Sequence, residues 1–421
     1  MISHSSLSGE IDASPSKSYT HRAIILGALS GEKFRIQNPL ISDDTASTMA
    51  ALSMMGATIE RTSDAIIIEL KELMAPLGIV DVGNSGTTLR LISGTAALIS
   101  GETGLTGDES IRKRPIKPLL NALRELGASC KGTGPDELPP VSIRGPMTGT
   151  QAHLPGDVSS QFISSLLLSC PIKESDTDLE ITGERKSKSY VDVTLHMLRV
   201  LGIEIDERDN GYRIGGGQIP KGKGYEIPGD FSSASFPLVG AAITGGSVVI
   251  KGLDPNIPQG DSLVIDALET YGADITCRKG SVICSGAKKT PFEFDVSHSP
   301  DLFPVLAVLA STAEGESTLL GGEHLKFKES DRISTTVSML NDMGVHAESR
   351  GDGCIVFGTG RIKGGTVSTK GDHRIMMAAT IAGLASEEGV KMDDDNSYAV
   401  SYPSFLDDIR SLGGDAKEVT D

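Results

Sequence analysis

The apolar positions of this chain fall into one local pattern that recurs six times. An apolar helical run closes on a glycine, and an alternating, strand-like segment follows. The closures are Met54-Met55-Gly56-Ala57, Glu125-Leu126-Gly127-Ala128, Val200-Leu201-Gly202-Ile203, Thr270-Tyr271-Gly272-Ala273, Asp342-Met343-Gly344-Val345 and Ser411-Leu412-Gly413-Gly414. Glycines at 56, 127, 202, 272, 344 and 413 give spacings of 71, 75, 70, 72 and 69 residues, a repeat too even for chance. Each suits the position just after a helix, where a left-handed backbone carries no Cβ strain. Period-2 alternation follows, as in Ala57-Thr58-Ile59-Glu60, then a polar turn and a second strand such as Ala65-Ile66-Ile67-Ile68.

A second kind of helix is expected once per period, opening on small polar residues. Its starts are Ser14-Pro15-Ser16-Lys17-Ser18, Gly83-Asn84-Ser85-Gly86-Thr87-Thr88, Gly156-Asp157-Val158-Ser159-Ser160-Gln161, Gly229-Asp230-Phe231-Ser232-Ser233-Ala234, Ser297-His298-Ser299-Pro300-Asp301 and Lys370-Gly371-Asp372-His373-Arg374. Several of these helices are expected to close on Gly31, Gly101, Gly245, Gly315 and Gly389. One such unit cannot bury its own apolar face, so units must stack on one another. Six units predict two groups of three: residues 14–227 as one domain, and 1–13 plus 228–421 as the other. The fold class is α/β (α+β) with internal symmetry, and the chain crosses between domains near Ala13 and Pro228.

Composition narrows the function. A chain of 421 residues exceeds one ordinary core, which agrees with two domains. A net charge of -17 argues against nucleic acid or an anionic membrane as the main partner. Cys130, Cys170, Cys277, Cys284 and Cys354 are odd in number and scattered, which predicts neither disulfides nor structural zinc. With no secretory leader and no long apolar run, the chain reads as a cytoplasmic protein.

Helix starts carry the candidate chemistry. Helix N-termini present free N–H groups and favour anions, so acidic residues are what a purely structural design would place there. Here cations recur instead: Lys17 and Arg22, one before the first helix and one within it; Arg90; Arg112, Lys113 and Arg114; Lys328 and Arg332; His373 and Arg374. Arg332 is expected in the first turn of a helix starting near Ser330. A surface charge or an N-cap explains any one of them, and for Arg332 a Glu329–Arg332 pair at i, i+3 does so. Together they predict a multi-point site for a ligand with two or more anionic groups. Ser159, Ser160, Gln161, Ser187 and Tyr190 add neutral donors, and Asp301 and Glu329 are the acidic candidates. Phosphate-binding nucleotide motifs of the G-x-x-x-x-G-K-[ST] or G-x-G-x-x-G kind are absent, as is any metal-ligand spacing.

Six short motifs in this order identify a resemblance. Pro15-Ser16-Lys17-Ser18-Tyr19-Thr20-His21-Arg22, Gly83 to Arg90, Arg114-Pro115-Ile116, Ser159-Ser160-Gln161-Phe162, Lys328-Glu329-Ser330-Asp331-Arg332 and Asp372-His373-Arg374 are similar to those of 5-enolpyruvylshikimate-3-phosphate synthases, enolpyruvyl transferases, over essentially the whole chain. The resemblance implies two domains of three βαβαββ-type units each, an inside-out α/β barrel, with the active site in the cleft between them. It implies transfer of the enolpyruvyl group of phosphoenolpyruvate to the 5-hydroxyl of shikimate 3-phosphate, with no metal or organic cofactor and a monomer as the working form.

By motif, Lys17, Ser18, Arg22, Ser159, Ser160, Gln161, Ser187, Tyr190, Asp301 and Lys328 would hold shikimate 3-phosphate. Lys17, Asn84, Gly86, Thr87, Arg114, Gln161, Glu329, Arg332, His373 and Arg374 would surround phosphoenolpyruvate. Asp301, Glu329 and Lys17 would be catalytic. Two positions depart from the family: Val400 stands where many relatives have Lys, and His324 where many have Asn. Val400 is therefore left out of the site, and His324 is not assigned. The alternatives are the paralogous UDP-N-acetylglucosamine enolpyruvyl transferase and an anion-binding scaffold without turnover. The paralogue typically has Lys-Asn at Lys17-Ser18 and a Cys in the loop of residues 106–114, neither of which is present.

Overall fold

In this computed structural model residues 1–394 and 396–417 are described. The chain forms two compact units, Lys17–Ile227 and Met1–Ser16 with Pro228–Asp421. Their described residues form twelve α-helices of two alternating kinds. In the Lys17–Ile227 unit these are α1 (Lys17–Leu29), α2 (Asp43–Met54), α3 (Gly86–Ala96), α4 (Lys117–Glu125), α5 (Ser160–Ser169) and α6 (Lys188–Val200). The other unit holds α7 (Phe231–Thr244), α8 (Val264–Tyr271), α9 (Phe303–Ser311), α10 (Arg332–Asp342), α11 (His373–Ala385) and α12 (Phe405–Ser411).

Odd-numbered helices are built largely of apolar and small residues, and the structure buries nearly all of each. Every residue of α9 is buried, and all of α7 except Thr244. A helix without a polar face belongs inside, and α1, α3 and α5 pack on one another, as do α7, α9 and α11. Even-numbered helices bury one stripe only, such as Leu119, Leu120, Ala122 and Leu123 of α4. Each buried Leu or Ile contributes roughly 1.5–3 kcal/mol relative to exposure.

The described residues form six four-stranded sheets in the same arrangement: a parallel outer pair, then two antiparallel neighbours. In one, Gly224–Glu226 runs parallel to Phe34–Gln37, which pairs antiparallel with Ala65–Glu69 and that with Thr58–Arg61. The strands that precede α1 and α7 have changed places. Ser8–Asp12 leads in sequence to α1, yet belongs to the unit of Pro228–Asp421, where it pairs with Ser247–Lys251, Ile11 opposite Ile250. Gly224–Glu226 leads to α7, yet completes a sheet of the first unit. Ile2–Ser3 closes the sixth sheet, pairing with Val390–Met392 and Asp415–Ala416. The two crossing segments meet at a Pro15–Gly229 bridge, and the Ser16 amide donates to the Pro228 carbonyl at 2.8 Å.

The six periodic glycines follow the even-numbered helices, with φ of +103°, +93°, +71°, +93°, +81° and +96° in chain order. Space as well as backbone demands glycine: a Cβ would lie 2.9 Å from Lys288 at Gly272 and 3.0 Å from Lys363 at Gly344. Three expected closures are corrected. Helix α3 ends at Ala96 on an Ala97 cap, short of Gly101, and α11 at Ala385 on a Ser386 cap, short of Gly389. Gly315 lies inside the strand Glu314–Leu320, because α9 already ends at Ser311 and the chain turns at once into the sheet.

Helix α3 meets α5 at Gly94, where an added Cβ would lie 2.6 Å from the Ser165 carbonyl oxygen and 2.7 Å from Ser169 Oγ. Overpacking costs about 1–3 kcal/mol, against a helix-propensity gain of about 1 kcal/mol. A carbonyl in a helix cannot rotate away, so overpacking wins. Gly94→Ala is expected to lower the urea midpoint of unfolding; an unchanged or raised midpoint would show that the helices can separate freely.

Candidate active site

Lys17 is itself the first residue of α1, not a residue before it, and Arg22 lies in the second turn. This helix start has no acidic residue of its own. Compensation comes from α2, where Asp44 Oδ2 lies 2.9 Å from Lys17 Nζ. Burial would raise the Asp44 pKa, but Lys17 and His21 hold the carboxyl well below its ordinary range. Arg22 is treated differently. Its guanidinium, 2% exposed, donates to Thr194 Oγ1 at 2.7 Å, Ser164 Oγ at 3.2 Å, and the Ser18 and Tyr190 carbonyls at 2.8 and 3.0 Å. All four acceptors are neutral, and burial pulls its pKa down to about 10. No carboxylate among the described residues pairs with this cation. A buried charge held only by dipoles is a site prepared for an anion.

Helix starts α3, α5 and α6 supply the neutral groups. Ser85 caps α3 and Ser159 caps α5, each accepting from the following turn. Gln161 joins the two starts: its amide nitrogen donates to Thr87 Oγ1 at 3.0 Å, and its oxygen accepts from Arg90 at 2.6 Å. Ser160 is buried beside it. Asn84 is exposed, and its amide donates to Asp108 at 2.6 Å. Arg114 is buried, its Nη1 only 2.6 Å from where a Gly86 Cβ would stand. Ser187, at the start of α6, holds a left-handed φ of +53°, an unusual conformation for serine.

In the second unit, the expected Glu329–Arg332 pair is present at 2.5 Å, but it is one contact of several. Arg332 Nη1 reaches Asp301 Oδ1 at 2.7 Å and Nε reaches Asp372 Oδ2 at 2.9 Å. One guanidinium, 2% exposed, thus gathers three carboxylates. Burial opposes its charge, yet Asp372, Glu329 and Asp301 push its pKa well above the ordinary value. Asp301 also meets Lys328 Nζ at 3.5 Å and Arg374 Nη2 at 3.2 Å. Asp301 and Glu329 remain 18% and 20% exposed, while Asp372 is fully buried, so the first two can meet a substrate and the third cannot. Arg374 is 2% exposed, and its Nε and Nη1 have no hydrogen-bond partner among the described residues. His373 is buried next to it at the start of α11.

The same three-element arrangement appears in both units with its charges reversed. Lys17 of α1, Asp44 of α2 and Ser85 before α3 meet in one; Asp301 before α9, Arg332 of α10 and Asp372 before α11 meet in the other. Asp44, His21, Ser85 and Asp372 are the members that sequence reasoning missed. Asp44 gave no signal, because an acid in the first turn of a helix has a local explanation. Glu329, Asp372 and His373 bring ligand-type atoms within 4.8 Å of one another. Both carboxylates of that trio already share the Arg332 cation, which makes it an ion-pair network.

The fold and the buried cations define a protein of six like units that handles small polyanions. A family model described as EPSP synthase (3-phosphoshikimate 1-carboxyvinyltransferase) matches residues 2–409. The 3-phosphoshikimate 1-carboxyvinyltransferase of Methanocorpusculum labreanum is 42% identical over 421 residues, covering 99% of each chain. That of Methanosarcina mazei is 43% identical over 427 residues, covering 99% of this chain and 98% of its own. An EPSP synthase structure from Acinetobacter baumannii superposes with a TM-score of 0.81 at 31% identity, covering 98% of this chain and 97% of that one. The chain belongs to the EPSP synthase family. Among the described residues, no helix is long and apolar enough to cross a membrane.

Proposed function

We propose that the chain transfers the enolpyruvyl group of phosphoenolpyruvate to the 5-hydroxyl of shikimate 3-phosphate, releasing phosphate, a step of aromatic amino-acid biosynthesis. The observation that carries this reading is the pair Asp301 and Glu329, two partly exposed carboxylates held by one buried guanidinium. An anion-binding scaffold has no use for them, whereas the reaction needs two proton carriers. Asp301 takes the proton of the 5-hydroxyl as its oxygen bonds to C2 of phosphoenolpyruvate. Glu329 gives a proton to C3, so the double bond becomes a methyl group on a tetrahedral centre. Loss of phosphate from C2 and return of a C3 proton to Glu329 then restore the double bond.

Ser18, Arg22, Ser159, Ser160, Gln161, Ser187, Tyr190 and Lys328 hold shikimate 3-phosphate in this reading. Arg22, buried without a carboxylate, suits a strongly anionic group. Lys17, Asn84, Gly86, Thr87, Arg114, Gln161, Arg332, His373 and Arg374 surround phosphoenolpyruvate, and the two bare nitrogens of Arg374 are donors in search of an acceptor. Gly86 leaves room for the Arg114 guanidinium. Gly86→Ala is therefore expected to raise the KM for phosphoenolpyruvate about tenfold with the fold intact, since misplacing a binding group by an ångström costs up to about a hundredfold. An unchanged KM would take Arg114 out of the site.

Phosphate release from phosphoenolpyruvate tests the whole reading, with shikimate 3-phosphate or UDP-N-acetylglucosamine as acceptor. Release with shikimate 3-phosphate alone is expected. Release with the nucleotide sugar alone would make this the paralogous transferase. Silence with both, from folded protein, would leave a binding scaffold.

A further inference from the structure

His21 lies one turn after Lys17 on α1, 1% exposed, and none of the chemistry above uses it. It belongs to a closed ring of five buried side chains. Its Nδ1 lies 2.7 Å from Thr48 Oγ1, Thr48 Oγ1 lies 2.7 Å from Thr88 Oγ1, and Thr88 Oγ1 lies 2.6 Å from Ser85 Oγ. Ser85 Oγ donates to Asp44 Oδ1, and the same oxygen faces His21 Nε2 at 3.6 Å. Charge selects the tautomer. A bare Nε2 would set its lone pair against a buried carboxylate, so Nε2 carries the proton, and Nδ1 accepts from the Thr48 hydroxyl. At 3.6 Å the Nε2–H is just beyond hydrogen-bond reach, but its dipole acts on Asp44 where little water screens it.

One oxygen of Asp44 is therefore turned toward His21 and Ser85, which leaves the other for Lys17 Nζ. We propose that His21 is a positioning residue for Lys17: its imidazole orients Asp44, and Asp44 holds the ammonium where phosphoenolpyruvate binds. The ring also ties Lys17 to Ser85, the cap of α3, so the two helix starts that meet this substrate are placed together. This inference rests on the role given to Lys17 above.

His21→Gln keeps a donor that can reach Asp44, His21→Asn is too short to do so, and His21→Leu has none. Turnover of phosphoenolpyruvate with shikimate 3-phosphate, alongside the thermal midpoint, separates them. His21→Leu and His21→Asn are expected to lose about tenfold in kcat at an unchanged midpoint, within the range that misplaced groups cost. His21→Gln is expected to recover most of that loss. In an Asp44→Asn background, none of the three is expected to lower kcat further, because residues acting as a unit are not additive. Should His21→Leu not fold, the Gln and Asn pair makes the same comparison. Gln as poor as Asn, Leu as active as the parent, or additive losses with Asp44→Asn would overturn the proposal. A parent protein silent with shikimate 3-phosphate would overturn the functional reading, and this inference with it.

Discussion

Arg332→Met is expected to destabilise the chain by about 3–5 kcal/mol, the range seen when one partner of a buried ion pair is removed. The reason is Asp372. It is fully buried, and its charge is balanced by Arg332 Nε at 2.9 Å, with Nη2 at 3.3 Å from the second oxygen. Without Arg332, what remains is the Ser330 hydroxyl at 3.0 Å and the Arg374 amide at 3.0 Å. Neither carries a charge, so the carboxylate must be protonated or the site must open. Asp301 suffers less, because Lys328 and Arg374 also face it. Urea unfolding gives the energy directly, and turnover of the folded fraction is expected to vanish. A loss below about 1 kcal/mol, the worth of an exposed pair, would show that Arg332 does not bear the charge of Asp372.

Glu329→Gln separates chemistry from stability. The amide oxygen can still accept from Arg332, so the fold is expected to stand with little change. Proton transfer to and from C3 is lost, which general acid–base catalysis values at about 10²–10⁴-fold in kcat. Single-turnover release of phosphate is the direct measure. A rate within tenfold of the parent would remove Glu329 from the proton-transfer role and leave it as a partner of Arg332 only.

These two effects differ because the residues were legible to different degrees. In the sequence Glu329 stands out as an acid among cations, and Arg332 as a cation at the wrong end of a helix. The helix start is real, with Asp331 as its cap. Its physical explanation lies elsewhere in the chain: Asp372 is 40 residues away and Asp301 is 31. No local pattern reveals such a partner. The same holds for Asp44, which is 27 residues from Lys17 by number and looks like an ordinary first-turn acid of α2. Short strands hid for a related reason. Gly224–Glu226 is three residues long, too little for a period to show, and its membership is decided by the Phe34–Gln37 edge it completes.

By itself, the sequence determined the six-unit plan and the alternation of two kinds of helix, one closing on glycine and one opening on small polar residues. It also placed glycine after each even-numbered helix, and the six positive φ values follow that placement. Those are local properties: hydrophobic period and backbone freedom act within a few residues. Only the tertiary structure decided which charges answer which. It gave Arg22 no carboxylate, Arg332 three, and Asp44 a lysine on one oxygen and a ring of hydroxyls and imidazole on the other. Compensation of a buried charge depends on distances of a few ångströms between helices far apart in the chain, and only packing sets those distances.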